Sequence, residues 1–132
     1  MKRTEQREHI FKLIFGADFN EESEQGTQTE LYLEQIEGAM EKDMQYISQK
    51  AQKIIEKIDE IDTLINEHTT GWKTGRMNKV DLTILRLAVY EMKWDEDVPT
   101  GVAINEAVNL AKKYSSEDGA SFVNGVLAKL AD

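Results

Sequence analysis

Apolar residues recur along most of this chain at steps of three and four positions, which places them on one face of an α-helix. No segment alternates apolar and polar residues over a length that would predict a strand. The chain has 132 residues, a single proline and no low-complexity segment. The pattern therefore predicts an all-α fold of about six to seven helices, arranged as two packed helical bundles.

The first helix is predicted over residues 3–18, with an apolar stripe that ends at Phe19. A polar, acidic loop follows over residues 20–28. Thr27 and Glu30 then have the spacing of a capping box, in which each residue's side chain bonds the other's backbone N–H. This box predicts the start of a short second helix.

A seam of apolar residues runs from position 44 to position 65 in alternating steps of three and four. It predicts one long helix, straight or kinked, that ends at His68. The seam is shorter than four heptads, which favours a stripe within an intramolecular bundle over a coiled-coil dimer.

Three further helices are predicted after this seam. Asn78 is a suitable N-cap for the first of them, and Pro99 marks the turn that follows it. Thr100 can cap the next helix, and either Ser116 or Asp118 can cap the last.

The length fits a single domain over residues 1–132, large enough to hold a core without staples. We expect an N-terminal helical subdomain over residues 1–70 and a C-terminal one over 71–132, joined by a connector at 69–78. The absence of cysteine excludes disulfides and thiolate chemistry. No apolar segment is long enough to span a membrane, so we expect a cytoplasmic protein without a membrane partner.

The net charge of −9 argues at first against nucleic-acid binding, because phosphate contacts need lysine and arginine. The charge is unevenly distributed, however. Residues 21–67 hold 13 acids and 4 bases, whereas the remaining residues hold 12 of each. Acidic composition therefore lowers the expectation of RNA binding by this chain alone and favours a basic partner protein.

We find no pattern typical of an enzyme or of a cofactor or metal site. The two histidines, His9 and His68, lack the spaced partners of a catalytic triad or a zinc site. The acidic residues 95–97 lack the glycine and ligand spacing of a calcium loop, so a solvated turn is the favoured interpretation. The segment TGWKTGR lacks the order of a phosphate-binding loop.

Residues of two kinds have both a structural and a functional interpretation. Arg3 and Arg7 share a helical face and could follow a phosphate backbone, but interleaved acids also make this an ordinary exposed mixed-charge face. Phe122 is either core or a platform for an unpaired base, with core the default. Arg86 and Glu91 are expected to form a structural ion pair or a hydrogen-bonded clamp between helices. Asn105 and Asn124 are expected to make hydrogen bonds at helix crossings, and Gly125 to allow the close approach of a helix.

Three motifs occur in order near the C-terminus, namely LRLAVYE, AINEAVNLAK and FVNGVL. Together they resemble the NusB family of bacterial transcription antitermination factors, strongly over residues 81–130 and moderately over residues 3–15. The resemblance implies two helical bundles, no catalysis, and binding of boxA-type single-stranded RNA as a heterodimer with NusE, a small-subunit ribosomal protein. It also implies a role with the transcription elongation complex in ribosomal RNA transcription.

The resemblance further implies site residues. The basic first helix of the family corresponds here to Lys2, Arg3 and Arg7, which would contact RNA phosphates, while Asp118 and Phe122 match the region that meets the bases. The acidic position at the NusE contact corresponds to Asp81, and an aromatic residue near the same surface corresponds to Phe15. This chain departs from the family by placing Glu5, Gln6 and Glu8 where further basic residues are common.

Two other functions stay open at this point. One is a helical adaptor in ribosome assembly that holds a protein partner without sequence-specific RNA readout. The other is the RNA-binding part of an RNA methyltransferase, although an end just after the last helix favours a standalone factor. Some members of the family self-associate, so a homodimer is a further alternative.

Overall fold

A computed structural model describes residues 1–19, 28–29, 31–36, 38, 40–69, 71 and 73–131. The α-helices with complete bounds are α1 (Arg3–Ala17), α2 (Glu41–Glu56), α3 (Ile58–Glu67), α4 (Lys79–Trp94), α5 (Thr100–Tyr114) and α6 (Glu117–Ala131). Residues 28–29 and 31–34 are also helical, and Thr74–Arg76 form a 3₁₀ turn. No strand occurs among these residues, so the predicted all-α class is confirmed.

Two further points of the sequence analysis concern the start of the second predicted helix and the length of the apolar segments. The capping box of Thr27 and Glu30 lies outside the described residues. None of the described helices is long and apolar enough to cross a membrane.

The apolar seam over residues 44–65 forms two helices instead of one. Lys57 leaves the helical conformation at φ −106° and ψ 8°, which ends α2 and begins α3. The seam nevertheless keeps its apolar spacing across the break, since Ile54 and Ile61 are both fully buried. The prediction of a single helix is therefore wrong, because Lys57 separates two helices. The predicted end at His68 is confirmed, since His68 is the C-cap of α3.

Contacts divide the chain into two compact units, Met1–Glu56 and Lys57–Asp132. We expected the division near residue 70 because the seam gave no sign of a break at residue 57. Helix α3 belongs with the C-terminal helices through its packing on α4 and α6. That residues 1–132 act as a single domain stays a prediction.

In the first unit, α1 packs on α2. Ile10 and Ile14 from α1, with Ile47 and Ile54 from α2, are at most 1% exposed and form the centre of this contact. Phe19, expected in the apolar stripe of α1, is instead 64% exposed, because the helix ends two residues before it.

In the second unit, α4 is the central helix and contacts α3, α5 and α6. Every residue from 81 to 91 is buried, including the whole of the LRLAVYE motif. A helix that neighbours cover on several sides needs apolar residues around most of its circumference. This explains why the motif has no clear polar face.

The helix caps agree only in part with the sequence. Asn78 Oδ1 accepts a hydrogen bond of 2.8 Å from the Asp81 backbone N–H, which confirms Asn78 as the N-cap of α4. The Ser116 hydroxyl accepts one of 2.9 Å from the Gly119 N–H at the start of α6. Thr100 was wrong as a cap, because Pro99 occupies that position and makes no side-chain capping bond.

Candidate functional site

The N-terminal turn of α1 presents two exposed cations. Lys2 is the N-cap residue, and Arg3 is the first helical residue. Arg3 Nη1 donates a hydrogen bond of 2.8 Å to Gln6 Oε1, and its guanidinium carbon lies 3.9 Å from the centre of the Tyr46 ring on α2. A guanidinium over an aromatic face is attracted by the ring's quadrupole. Arg3 is thus exposed but held in one position from two sides.

Buried polar groups hold Gln6, the hydrogen-bond partner of Arg3, in place. Gln6, which accepts the bond from Arg3, donates a hydrogen bond of 2.8 Å to Asp43 Oδ1. The N-terminal amine of Met1 lies 3.7 Å from Asp43 Oδ2. Burial alone would raise the pKa of Asp43, but the bonds from Gln6 and the Met40 N–H and the nearby positive charges outweigh it, so this pKa lies below its ordinary value.

Arg7 does not join Lys2 and Arg3 at the surface. It is 6% exposed and lies on the same helical face as the buried Ile10, Phe11 and Ile14, which follow it at steps of three and four. The sequence placed Arg3 and Arg7 on one face, but Arg3 lies at the very end of the helix, before the packed part begins. The predicted phosphate contact of Arg7 stays a prediction, and its burial argues against it.

Asp118 and Phe122 lie on α6, one turn apart. Residues at this spacing are neighbours on a helix surface. Asp118 is exposed in the first turn, and Phe122 is half-buried, so part of its ring is fixed by packing and part reaches solvent. The structure therefore brings these two predicted residues together on one face.

The helix-crossing interpretation is wrong for three residues of the family motifs. Asn105 and Asn124 are exposed, and they line an open groove between α5 and α6 together with Lys112 and Ser121. Gly125 is exposed as well, and nothing lies within 4 Å of where its Cβ would be. Their presence in the sequence is thus not explained by close packing of helices.

Asp81, the predicted acidic contact for NusE, is 6% exposed. Its Oδ2 accepts a hydrogen bond of 2.8 Å from Asn78, which completes a reciprocal cap at the start of α4. Its Oδ1 is buried without a hydrogen-bond partner among the described residues and would lie 2.9 Å from a Cβ at Gly119. Asp81 therefore has a structural role, and its partner contact stays a prediction.

Phe15 lies in a row of aromatic residues that runs along the second half of α1 and ends just beyond it. Its ring centre is 6.2 Å from that of Phe11 and 5.1 Å from that of Phe19. Phe11 is buried, Phe15 is half-buried and Phe19 is exposed, so the row runs from the core to the surface. Such a row offers apolar area to a partner without rearrangement.

Two groups that sequence reasoning missed are Tyr46 and Asp43. Both lie in the acidic segment, where the resemblance to the family is weak, and neither belongs to a recognisable motif. The only available signal was the spacing of Tyr46 and Lys50, which lie one helical turn apart and can therefore contact each other. In the structure, Lys50 Nζ lies 3.2 Å from the Tyr46 hydroxyl.

The histidines have local structural partners. His9 Nδ1 lies 2.6 Å from the Tyr32 hydroxyl, and burial together with the charge of Lys12 holds the pKa of His9 below its ordinary value. His68 Nδ1 lies 2.8 Å from the Leu64 carbonyl oxygen. Among the described residues, no group of three or more histidine or acidic side chains could hold a metal ion.

The chain is similar to known proteins over nearly its whole length. The chain matches the model of the NusB family over residues 4–132. It is 51% identical over 131 residues to the transcription antitermination protein NusB of Agathobacter rectalis, covering 99% of this chain and 100% of that protein. The NusB of Lachnoclostridium phytofermentans is 46% identical over 132 residues, with both chains fully covered.

Solved structures are similar over nearly the whole chain. NusB of T. maritima superposes with a TM-score of 0.85 at 30% identity, covering 99% of this chain and 91% of the other. A structure of the antitermination factors NusB and NusE in complex with dsRNA superposes with a TM-score of 0.84 at 26% identity, covering 99% and 98%.

Proposed function

Because this chain belongs to the NusB family, we propose that it is a transcription antitermination factor that binds boxA-type single-stranded RNA as a heterodimer with NusE and supports ribosomal RNA transcription. The observation that carries the proposal is the full-length similarity to a NusB that was solved together with NusE and RNA. That RNA is double-stranded, so the strandedness of the preferred RNA is part of what must be tested.

We assign the phosphate contacts to Lys2 and Arg3. Both are exposed, and the contacts of Arg3 with Gln6 and Tyr46 restrict its side chain before RNA arrives. A side chain already held in place loses less conformational entropy on binding. The bond to Gln6 uses one Nη1 hydrogen, and a guanidinium has five N–H donors, so donors remain for phosphate oxygens.

We assign the base contact to Phe122 and Asp118. A fixed, partly exposed ring is a surface on which an unpaired base can stack. A carboxylate cannot bind phosphate favourably, but it accepts hydrogen bonds from the exocyclic amino groups of bases. The two residues one turn apart therefore suit a base more than a backbone.

We assign the NusE contact to the surface that includes Phe15. The net charge of −9 attracts a basic partner and raises the association rate, while exposed aromatic area contributes the affinity. NusE would in turn add positive charge near the RNA, which this acidic chain lacks. Phe15 is a better test of this contact than Asp81, whose replacement would also remove the hydrogen bond that the buried carboxylate accepts from Asn78 at the start of α4.

Reversing both N-terminal charges, Lys2→Glu with Arg3→Glu, should weaken RNA binding by the heterodimer and flatten its salt dependence. Each lost phosphate contact removes roughly 0.7 from the slope of log K against log salt for single-stranded RNA, so two contacts remove about 1.4. Fluorescence anisotropy at several salt concentrations measures this slope. Lys12→Glu on the same helix is the matched control, and its slope should stay that of the wild type. If the double variant also kept the wild-type slope, Lys2 and Arg3 would not be phosphate contacts.

Replacing Phe15 by alanine should weaken NusE binding about tenfold or more, because aromatic residues at the centre of an interface contribute most of its energy. Isothermal titration calorimetry with purified NusE measures the change. Leu31→Ala is the control, since Leu31 is 48% exposed and is not assigned to the contact. Equal binding by the Phe15 variant and the wild type would remove Phe15 from the interface.

The acidic composition favours one alternative, a ribosome-assembly adaptor that binds NusE without reading RNA sequence. The net charge of −9 and the burial of Arg7 both reduce the positive surface available to RNA. The adaptor and the antitermination factor share the NusE contact and differ in whether the complex distinguishes RNA sequences.

Self-association of the chain is a separate alternative. Analytical ultracentrifugation of the chain alone determines whether it forms a homodimer, which would compete with either complex.

A further inference from the structure

Gly125 occupies an unfavourable position for a glycine. It lies in the interior of α6, more than one turn from either end, and is exposed. Glycine is among the least favourable residues inside a helix, because it loses the most backbone freedom on folding. A Cβ at this position would meet nothing within 4 Å, so the fold does not require a glycine here.

Other glycines of the second unit show what a structural requirement looks like. At Gly119, a Cβ would collide with the Ser115 hydroxyl and lie 2.9 Å from Asp81 Oδ1, so any side chain there would force these neighbours to move. Gly101 has open space but lies in the first turn of α5, where glycine costs less than in a helix interior. Gly125 has neither reason.

The neighbours of Gly125 supply a functional reason. Positions 118, 122, 125 and 129 follow one another at steps of four, three and four, so they line one side of α6. Along this line lie an exposed carboxylate, a half-buried ring, a bare stretch of backbone and the exposed Lys129. A long, flexible cation two turns beyond an aromatic ring can bind the phosphate of a nucleotide whose base stacks on that ring.

We propose that Gly125 is part of the RNA site, where it leaves the backbone of α6 bare so that one nucleotide can lie along the helix. The base stacks on Phe122, the ribose crosses Gly125, and Lys129 binds the phosphate. This inference rests on the proposed function. A nucleic acid suits the surface better than a protein does, because the exposed residues around Phe122, namely Ser121, Asn124 and Ala128, are small or polar and add no second apolar anchor.

Gly125→Ala tests the inference because stability and binding should change in opposite directions. The substitution should raise the melting temperature by a few degrees, since alanine is the best helix former and the added methyl meets open space. The heterodimer of this variant with NusE should bind boxA-like single-stranded RNA about tenfold more weakly, because the methyl separates the ribose from the backbone. Lys129→Gln should lower the salt slope by roughly 0.7.

Gly101→Ala is the matched control, an exposed helical glycine with open space outside this line, and it should bind RNA like the wild type. If Gly125→Ala bound RNA like the wild type while Phe122→Ala lost affinity, the inference about Gly125 would be overturned and the RNA site would stand. A lowered melting temperature of Gly125→Ala would likewise overturn it, by showing that the fold needs the glycine. Failure of the wild-type heterodimer to bind RNA would instead remove the proposed function itself.

Discussion

Replacing Asp62 by alanine is expected to destabilise the protein by about 3 kcal/mol, more than the replacement of its partner Arg86 by methionine. Arg86 on α4 donates two hydrogen bonds to the Asp62 carboxylate on α3, of 2.9 Å from Nε and 2.8 Å from Nη2. The Arg86 side chain is 7% exposed and that of Asp62 is 21% exposed. The two partners therefore differ in how well water can replace the lost contact.

Removing Asp62 leaves a buried guanidinium without its bidentate carboxylate, which is the costly case. Removing Arg86 leaves a carboxylate that water can reach, and methionine fills much of the vacated volume, so about 1–2 kcal/mol should be lost. Urea denaturation of the two variants and of the double variant measures both values. The double variant should be more stable than Asp62→Ala. A larger loss for Arg86→Met than for Asp62→Ala would contradict this account of the pair.

Replacing Phe122 by alanine should weaken RNA binding by the heterodimer about 5- to 150-fold, which corresponds to the 1–3 kcal/mol of one base stacked on an aromatic ring. The ring is half-buried, so its orientation is set by packing before RNA binds. Anisotropy of labelled RNA measures the loss, and the melting temperature of each variant shows whether the fold is kept.

Two further variants separate stacking from packing at this position. Phe122→Leu keeps apolar volume but lacks a π face, so it should lose RNA affinity with a smaller effect on stability than alanine. Phe122→Tyr keeps the ring and should bind RNA nearly as the wild type does. If Leu and Tyr variants bound RNA equally well, Phe122 would act through packing alone and the base contact would lie elsewhere.

Much of the fold could be predicted from the sequence because the helices are amphipathic and their apolar spacing is regular. The break at Lys57 could not, since the apolar seam continues across it and no proline or glycine marks it. The burial of Arg7 could not be predicted for a related reason. Spacing shows which residues share a helical face, but it does not show where along that helix packing begins.

The candidate site was predictable where a motif carried it and not elsewhere. Asp118 and Phe122 lie in a specific motif region, and the structure places them together on α6. Tyr46 and Asp43 lie in an acidic segment without a recognisable motif, and their role depends on a contact between helices that no local pattern encodes. For Gly125, sequence reasoning assumed a close helix contact, because a glycine alone does not reveal whether its missing side chain makes room for a helix or for a ligand.

We propose that this chain reads RNA sequence when it is joined to NusE. The most direct measurement is fluorescence anisotropy of a labelled boxA-like single-stranded RNA against this chain, NusE and the two together. A scrambled single strand and a double-stranded RNA serve as controls at the same salt concentration. We expect tight binding of the boxA-like strand by the two proteins together and much weaker binding of the scrambled strand. A firm complex with NusE that binds both strands equally would contradict the claim and identify the chain as an adaptor.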